Sequence, residues 1–325
     1  MAPVVSVGSL ASYVTGLSRA LQRKGNLVEV ILPKFSYFSR ASLDYIVKSG
    51  KQPDVLHIHN WQTAIIGPLF WDIFVNQGLG GTRILFSCHG FSSQCLEHPD
   101  KLALCGLDPP RLHRPDRLQD NIKTHLGGVV YSNKVMVVSA IHSKDRIIRS
   151  FSHGLESTLA IHREKLLVTP YGFDDTVWDP SKDKFLPAKY SVDDTNGKAV
   201  CKAALRKQLG FSGNGSSIVV GCIYSEVSDV DLENLKAAVW LALRKGAQDE
   251  NVRFVKKYNE ALSHLVLAGS DIILCPSFHD PLLQVPRNDP SRWIRKIKDG
   301  MSKDFSWDAE CYDIHAAAYM SIKNL

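Results

Sequence analysis

The sequence has no run of about eighteen or more apolar residues, so no segment reads as a helix that crosses a bilayer. It has no Cys-x-x-Cys pair either. Its seven cysteines, Cys88, Cys95, Cys105, Cys201, Cys222, Cys275 and Cys311, are scattered and odd in number. Such a set is neither a complete disulfide framework nor the close ligand pairs that structural zinc needs. A reducing compartment is the simpler inference. Charge of one sign is also scarce: 39 basic against 33 acidic residues leave a formal +6, and no block of Lys or Arg exceeds three in a row. That spread describes a solvated surface rather than a nucleic-acid footprint, so no nucleic-acid partner is expected. The first residues lack a charged segment followed by an apolar one, and they are not an Arg- and Ser-rich transit peptide. They read as folded domain from the start. Internal repeats and low-complexity tracts are absent.

What is present is ordinary for a folded chain: 44% hydrophobic and 22% charged residues over 325 positions, enough for one large or two medium domains. Leu10, Val14, Leu17 and Leu21 recur at helical spacing within 9–24, and Gly25 closes that helix. Residues 27–32 read as a short strand ended by Pro33, 39–49 as a helix and 54–59 as a second strand. An apolar, aromatic stretch over 64–76 reads as a buried helix, followed by strands over 82–87, 135–139 and 166–169. After the polar stretch 191–198 the pattern restarts: helix 199–209, strand 217–223, helix 232–245, strand 252–255, helix 260–268 and strand 271–275. Strands alternating with helices predict parallel sheets covered on both faces. The expected organisation is two α/β domains, 1–190 and 191–325, with a ligand at the strand C-termini.

Three places carry chemistry. Residues 6–10, Ser-Val-Gly-Ser-Leu, form a small-residue loop before a helix, either a phosphate cradle of backbone N–H groups or an N-cap by Ser9. His57 and His59 alternate along a strand, so they share one face, and Asn60-Trp61 follow at its end. No third metal ligand stands nearby, and each histidine taken alone reads as hydrogen-bonded structure. Cys88-His89-Gly90 also ends a strand, which makes His89 a candidate donor. Tyr37, Phe38, Trp61, Phe70, Trp71 and Phe91 could stack on sugars, although most of them read as core.

Together these segments are far more specific. The opening Met1-Ala2-Pro3-Val4 with Ser6–Leu10 resembles the MAPxxKxGGL of starch and bacterial glycogen synthases. Residues 54–64, DVLHIHNWQTA, resemble that family's PDxxHxHDWQTA. Further matches are GLGGTR through Cys88-His89, YSNK at 131–134, YGFD at 171–174, WDP at 178–180, KYNEALSH at 257–264 and DAEC at 308–311. The resemblance runs nearly end to end and points to the class IV and V plant starch synthases.

The resemblance implies a GT-B architecture: two Rossmann-like parallel-sheet domains closing over ADP-glucose, with the C-terminal one incomplete here. It implies retaining transfer of glucose to an α-1,4-glucan or maltooligosaccharide, with no metal, no cofactor, other starch-synthesis proteins as partners, and a plastid (chloroplast or amyloplast) location. Position by position, Ser6, Gly8 and Ser9 fall in the donor-phosphate loop, and Tyr258 falls where adenine stacks. His89 falls on the family's cleft histidine near the transferred glucose and Asn60 on the aspartate of the Asp-Trp pair in the same cleft, both catalytic positions with Asp280. Trp61 of that pair falls in the acceptor cleft. Asp280 stands where a glutamate is expected, one methylene short.

The departures are chemical. Ser6 replaces a lysine, Ser9 a glycine and Asn60 a carboxylate, and Tyr224–Asp229, with Glu226 and Asp229, replaces a segment that supplies Arg and Lys. Those changes remove cations that neutralise a diphosphate and add charges that repel it. The family's first strand and parts of its second domain also have no counterpart in this sequence. The expectation is a starch-synthase-like protein with impaired catalysis that acts by glucan or partner binding. An active glucosyltransferase and a non-functional truncated product are the alternatives.

Overall fold

A computed structural model of the chain describes residues 8–31, 38–90, 96–97, 99–108, 122–139, 143–150, 152, 154–174, 178–212, 217–223, 252–255, 259–274 and 290–325. The chain forms two compact units: Met1–Phe173 with Phe305–Leu325, and Asp174–Asp304. Residues 305–325, grouped with the second half in the sequence reading, count with the first unit.

The first unit opens with α1 (Gly8–Arg23) and α2 (Phe38–Lys48). Tyr13, Leu17, Ala20 and Leu21 form the buried stripe of α1, and Gly25, at φ 86°, takes the left-handed conformation that ends it. Then come β1 (Val55–His59), α3 (Asn60–Ala64), α4 (Ile66–Leu69), a π-helical turn (Phe70–Phe74) and β2 (Arg83–Cys88). Next are β3 (Leu96–Glu97), α5 (Pro99–Leu104), β4 (Ile122–Lys123) and α6 (Thr124–Tyr131). β5 (Lys134–Val138), α7 (Lys144–Ser150), α8 (Glu156–Ile161) and β6 (Leu166–Thr169) complete this half.

The main sheet is parallel, in the order β1-β2-β5-β6, with His59 beside Ser87 and Cys88 beside Val137. The central strand β2 is buried from Ile84 to Cys88, as both-face coverage demands. Strand alternation divides its side chains. Ile84, Phe86, Cys88, Val135, Val137, Ile58 and Leu166 join the large core on one face. On the other face Leu85 and Met136 pack against Ala318 and Ile322 of the C-terminal helix, Glu310–Lys323. That helix runs against the strand direction. Thr169, at the C-terminal end of β6, meets Cys311, whereas Lys323 pairs with Asp54 just ahead of β1.

In the second unit, β7 (Val220–Cys222) pairs in parallel with β8 (Ile272–Leu274). Helices Asn196–Gln208 and Glu260–Gly269 close a small core of Leu186, Cys201, Leu205, Val219, Leu265 and Ala268. Asn259 caps the second of these helices by accepting from the Leu262 N–H. Within this unit the buried His264 Nδ1 lies 2.6 Å from Asp183, and its ring stacks flat on Trp178 at 3.9 Å. Replacing Asp183 by Asn keeps the volume and removes the charge from that bond. A loss of about 1–3 kcal/mol is expected, read by urea denaturation with tryptophan fluorescence.

Two expected strands are not formed. Residues 27–31 carry no strand, and Leu27 is fully exposed while Val30 and Ile31 are half-exposed. Among the described residues no adjoining strand shares a ladder with them, and Glu29 is drawn instead to Lys51 and Tyr45. Residues 252–255 are likewise irregular, with Phe254 and Val255 exposed and Arg253 bonded to the carbonyls of Leu209 and Gly210. The expected single helix over 64–76 is broken into α4 and the π turn. Helix 232–245 and the segment Tyr224–Asp229, expected to stand where the family supplies Arg and Lys, lie outside the described residues.

Candidate active site

The C-terminal ends of β1 and β2 lie side by side because their register is parallel, and this brings the two sequence motifs together. His57 and His59 project from the face that the C-terminal helix covers, with ring centroids 4.2 Å apart. His89 follows Cys88 at the end of β2, and its Nε2 lies 3.3 Å from His59 Nδ1. Asn60 makes the turn from β1 into α3 at φ 56°, a left-handed conformation that Asn tolerates. Its side-chain oxygen accepts the His89 backbone N–H at 2.8 Å, which ties the two strand ends together. Trp61, half-buried, stands next on α3.

Three further groups complete the cluster. From α1, Tyr13 sets its ring edge-on to His89 at 4.4 Å. From the C-terminal helix, His315 and Tyr319 reach the same place. Tyr319 Oη lies 2.7 Å from His57 Nδ1, and Ser87 Oγ lies 2.7 Å from His57 Nε2. His315 Nδ1 sits 2.6 Å from the Cys311 carbonyl, which can only accept, so Nδ1 carries the proton. Its Nε2 is then the acceptor for the Tyr13 hydroxyl at 2.8 Å.

This assembly is uncharged. Burial, reinforced by the neighbouring histidines, holds His57 and His59 well below the usual imidazole range, and burial pulls His89 and His315 down to about 4. Burial pushes the phenols of Tyr13 and Tyr319 upward and the Cys88 thiol to about 12. Among the described residues no group of three or more His, Cys, Asp or Glu is arranged to hold a metal ion. What the cluster presents is a set of neutral donors and acceptors at a strand end, bonded to one another.

The structure therefore brings together His89, Asn60 and Trp61. Gly8 and Ser9 open α1, with Tyr13 about a turn and a half farther in. Ser6, Tyr258 and Asp280 lie outside the described residues. Sequence reasoning did not single out Tyr13, His315 or Tyr319. A signal existed for His315: Cys311, His315, Ala318 and Ile322 form the buried stripe of its helix, where a polar histidine needs a partner.

Residues 34–161 match the family described as the starch synthase catalytic domain. The chain is 33% identical to probable starch synthase 4, chloroplastic/amyloplastic, of Arabidopsis thaliana, over 86% of its own length and 36% of that protein's. It is 29% identical to glycogen synthase 2 of Methylococcus capsulatus, over 86% of this chain and 78% of that one. Among solved structures it superposes on the catalytic domain of starch synthase IV from Arabidopsis thaliana, itself bound to ADP and acarbose. The TM-score there is 0.83 at 28% identity, covering 100% of this chain and 98% of that one.

Across 86% of its length the chain is similar to starch and glycogen synthases. Its fold is the GT-B α/β architecture of the starch synthase IV catalytic domain on which it superposes. The chain spans little more than a third of the length of Arabidopsis starch synthase 4, and over three-quarters of the Methylococcus glycogen synthase.

Proposed function

We propose that this chain is a starch-synthase-like protein of α-1,4-glucan biosynthesis in the plastid, impaired in glucose transfer from ADP-glucose and acting by binding glucan or a partner protein. The observation that carries the reading is the neutral cluster at the strand ends. His89 sits among hydrogen-bonded neighbours, and Asn60, which stands where the resemblance expects a carboxylate, is engaged by the His89 N–H. In this reading His89 adjoins the transferred glucose, Trp61 lies along the acceptor, and Gly8 and Ser9 open the helix beside the donor phosphates.

Charge decides against efficient transfer. A departing diphosphate needs fixed cations, and loss of one well-placed transition-state donor costs about 10²–10³-fold in rate. Here Ser6 stands for a lysine, Tyr224–Asp229 for a segment with Arg and Lys, and Asp280 for a longer carboxylate. The plastid location is supported by the chloroplastic/amyloplastic relative.

Two measurements test this. Isothermal titration with ADP-glucose is expected to show no binding in the micromolar range. Incubation with labelled ADP-glucose and a maltooligosaccharide primer is expected to give elongation at least about 100-fold slower than the Arabidopsis catalytic domain run alongside. Micromolar binding together with comparable elongation would show that other cations hold the diphosphate and that the protein is a working transferase.

A further inference from the structure

At the opposite end of the first unit's sheet, beside the N-terminal ends of β5 and β6, lies an open cavity of about 500 Å³. That volume falls within the range of small-ligand sites. Its wall includes Trp71, Tyr131, Ser132, Asn133 and Lys165. None of these belongs to the cluster around His89.

Trp71 is the feature that asks for a ligand. It is 37% exposed, yet it is not loose. Its indole N–H donates to the Tyr131 carbonyl at 2.7 Å, and its ring stands edge-on to the buried Phe70 at 5.1 Å. The backbone beneath it is the π-helical turn Phe70–Phe74, a rare local geometry that recurs at functional sites. A half-exposed indole fixed in one orientation beside a cavity loses little freedom when something flat and apolar lies on it.

The remaining wall decides what that partner is. Asn133 spends its side-chain oxygen on the Ile84 N–H. Ser132 Oγ is buried in the wall with no hydrogen-bond partner among the described residues. Lys165 donates to the Val130 carbonyl at 2.8 Å, and burial lowers its affinity for a proton. It is a fixed part of the wall and not a free cation aimed at a phosphate. No Asp or Glu side chain lines the cavity among the described residues. A pinned indole, with the one lysine of the wall already tied to a carbonyl, suits the apolar face of a sugar ring rather than an anion.

We propose that this cavity is a second glucan subsite, in which one glucosyl unit of an α-1,4-glucan chain stacks on Trp71 at the end of the sheet remote from His89. The inference rests on the glucan-binding reading above and adds the place where the chain is held.

The test uses the full chain labelled with 5-fluorotryptophan and maltoheptaose as the probe. The Trp71 fluorine signal, assigned by Trp71→Phe, is expected to shift on titration. Trp71→Ala is expected to weaken maltoheptaose binding about tenfold, whereas Trp71→Phe, which keeps an aromatic platform, loses about threefold or less. Because the signal is read on the unsubstituted fold, a variant that fails to fold does not decide the outcome. Maltoheptaose that binds without moving the Trp71 signal overturns the subsite and leaves glucan binding intact. A chain that binds no maltoheptaose at all overturns the glucan reading, and the subsite with it.

Discussion

Between pH 7 and pH 4 the first unit is expected to lose several kcal/mol of stability, because the imidazoles at its strand ends are neutral only while it is folded. His89 and His315 ionise near 4 in the folded chain against about 6.5 when unfolded. A depressed value means that the unfolded state binds the proton first. The stability is therefore whole above about pH 6.5 and drains away as pH falls through the folded values. Each of these two groups accounts for about 3 kcal/mol by pH 4, and the slope in between is about 1.4 kcal/mol per pH unit per histidine. His57 and His59 lie well below the ordinary value too, so they carry the loss further down.

The groups facing this cluster from each packed element offer no relief: Tyr13 from α1, Ser87 from β2, Thr169 from β6, Tyr171 after it, and Cys311 and Tyr319 from the C-terminal helix. None is a carboxylate that could pair with an imidazolium. Denaturant titrations of the intact chain at several pH values, followed by near-ultraviolet circular dichroism, give the slope directly. The interval from pH 6.5 to 5 isolates histidine from carboxylate titration. His315→Gln removes one titrating group and is expected to lower the slope there by up to one proton. A flat stability from pH 7 to 5 would mean that the imidazoles are solvated and the cluster is open.

Trp307→Ala is expected to cost about 3–5 kcal/mol, the range for removing a buried aromatic side chain. Trp307 is 7% exposed, its ring 5.1 Å from Tyr13 and 5.4 Å from Tyr171. Two glycines make room for it. A Cβ on Gly16 would stand 2.1 Å from the indole, and one on Gly172 would stand 2.2 Å away. Neither has a side chain to collapse into the hole, so the cavity stays open and the full cost is felt. The same geometry makes a coupling test. Gly172→Ala is expected to destabilise the unsubstituted chain and to be tolerated once Trp307 is alanine, a non-additivity that urea denaturation of the four proteins would measure. Strictly additive losses would place the indole elsewhere.

Much of the first unit was legible in the sequence because the relevant signals are local. The apolar runs of β2 and β5 and the stripe of α1 depend on neighbours within a few residues, and the elements fall within a residue or two of expectation. The pairing of His57 with His59 on one face follows from strand geometry alone, as does the placing of Asn60, Trp61 and His89 at strand ends. The strands expected over 27–32 and 252–255 show the limit of such signals. An apolar run states a willingness to pair, and a strand forms only where a neighbour completes its ladder.

By itself, then, the sequence determined the alternation of strands and helices, the similarity to starch synthases, and the neutral side chains at Ser6 and Asn60. Only the tertiary structure decided that the C-terminal helix lies across the main sheet, that Tyr13 meets His315 from 302 residues away, and that four histidines share one uncharged cluster. The physical reason is range. Periodicity records what a residue's near neighbours require, whereas burial, proton affinity and hydrogen-bond partners are set by chains that arrive from elsewhere in the fold.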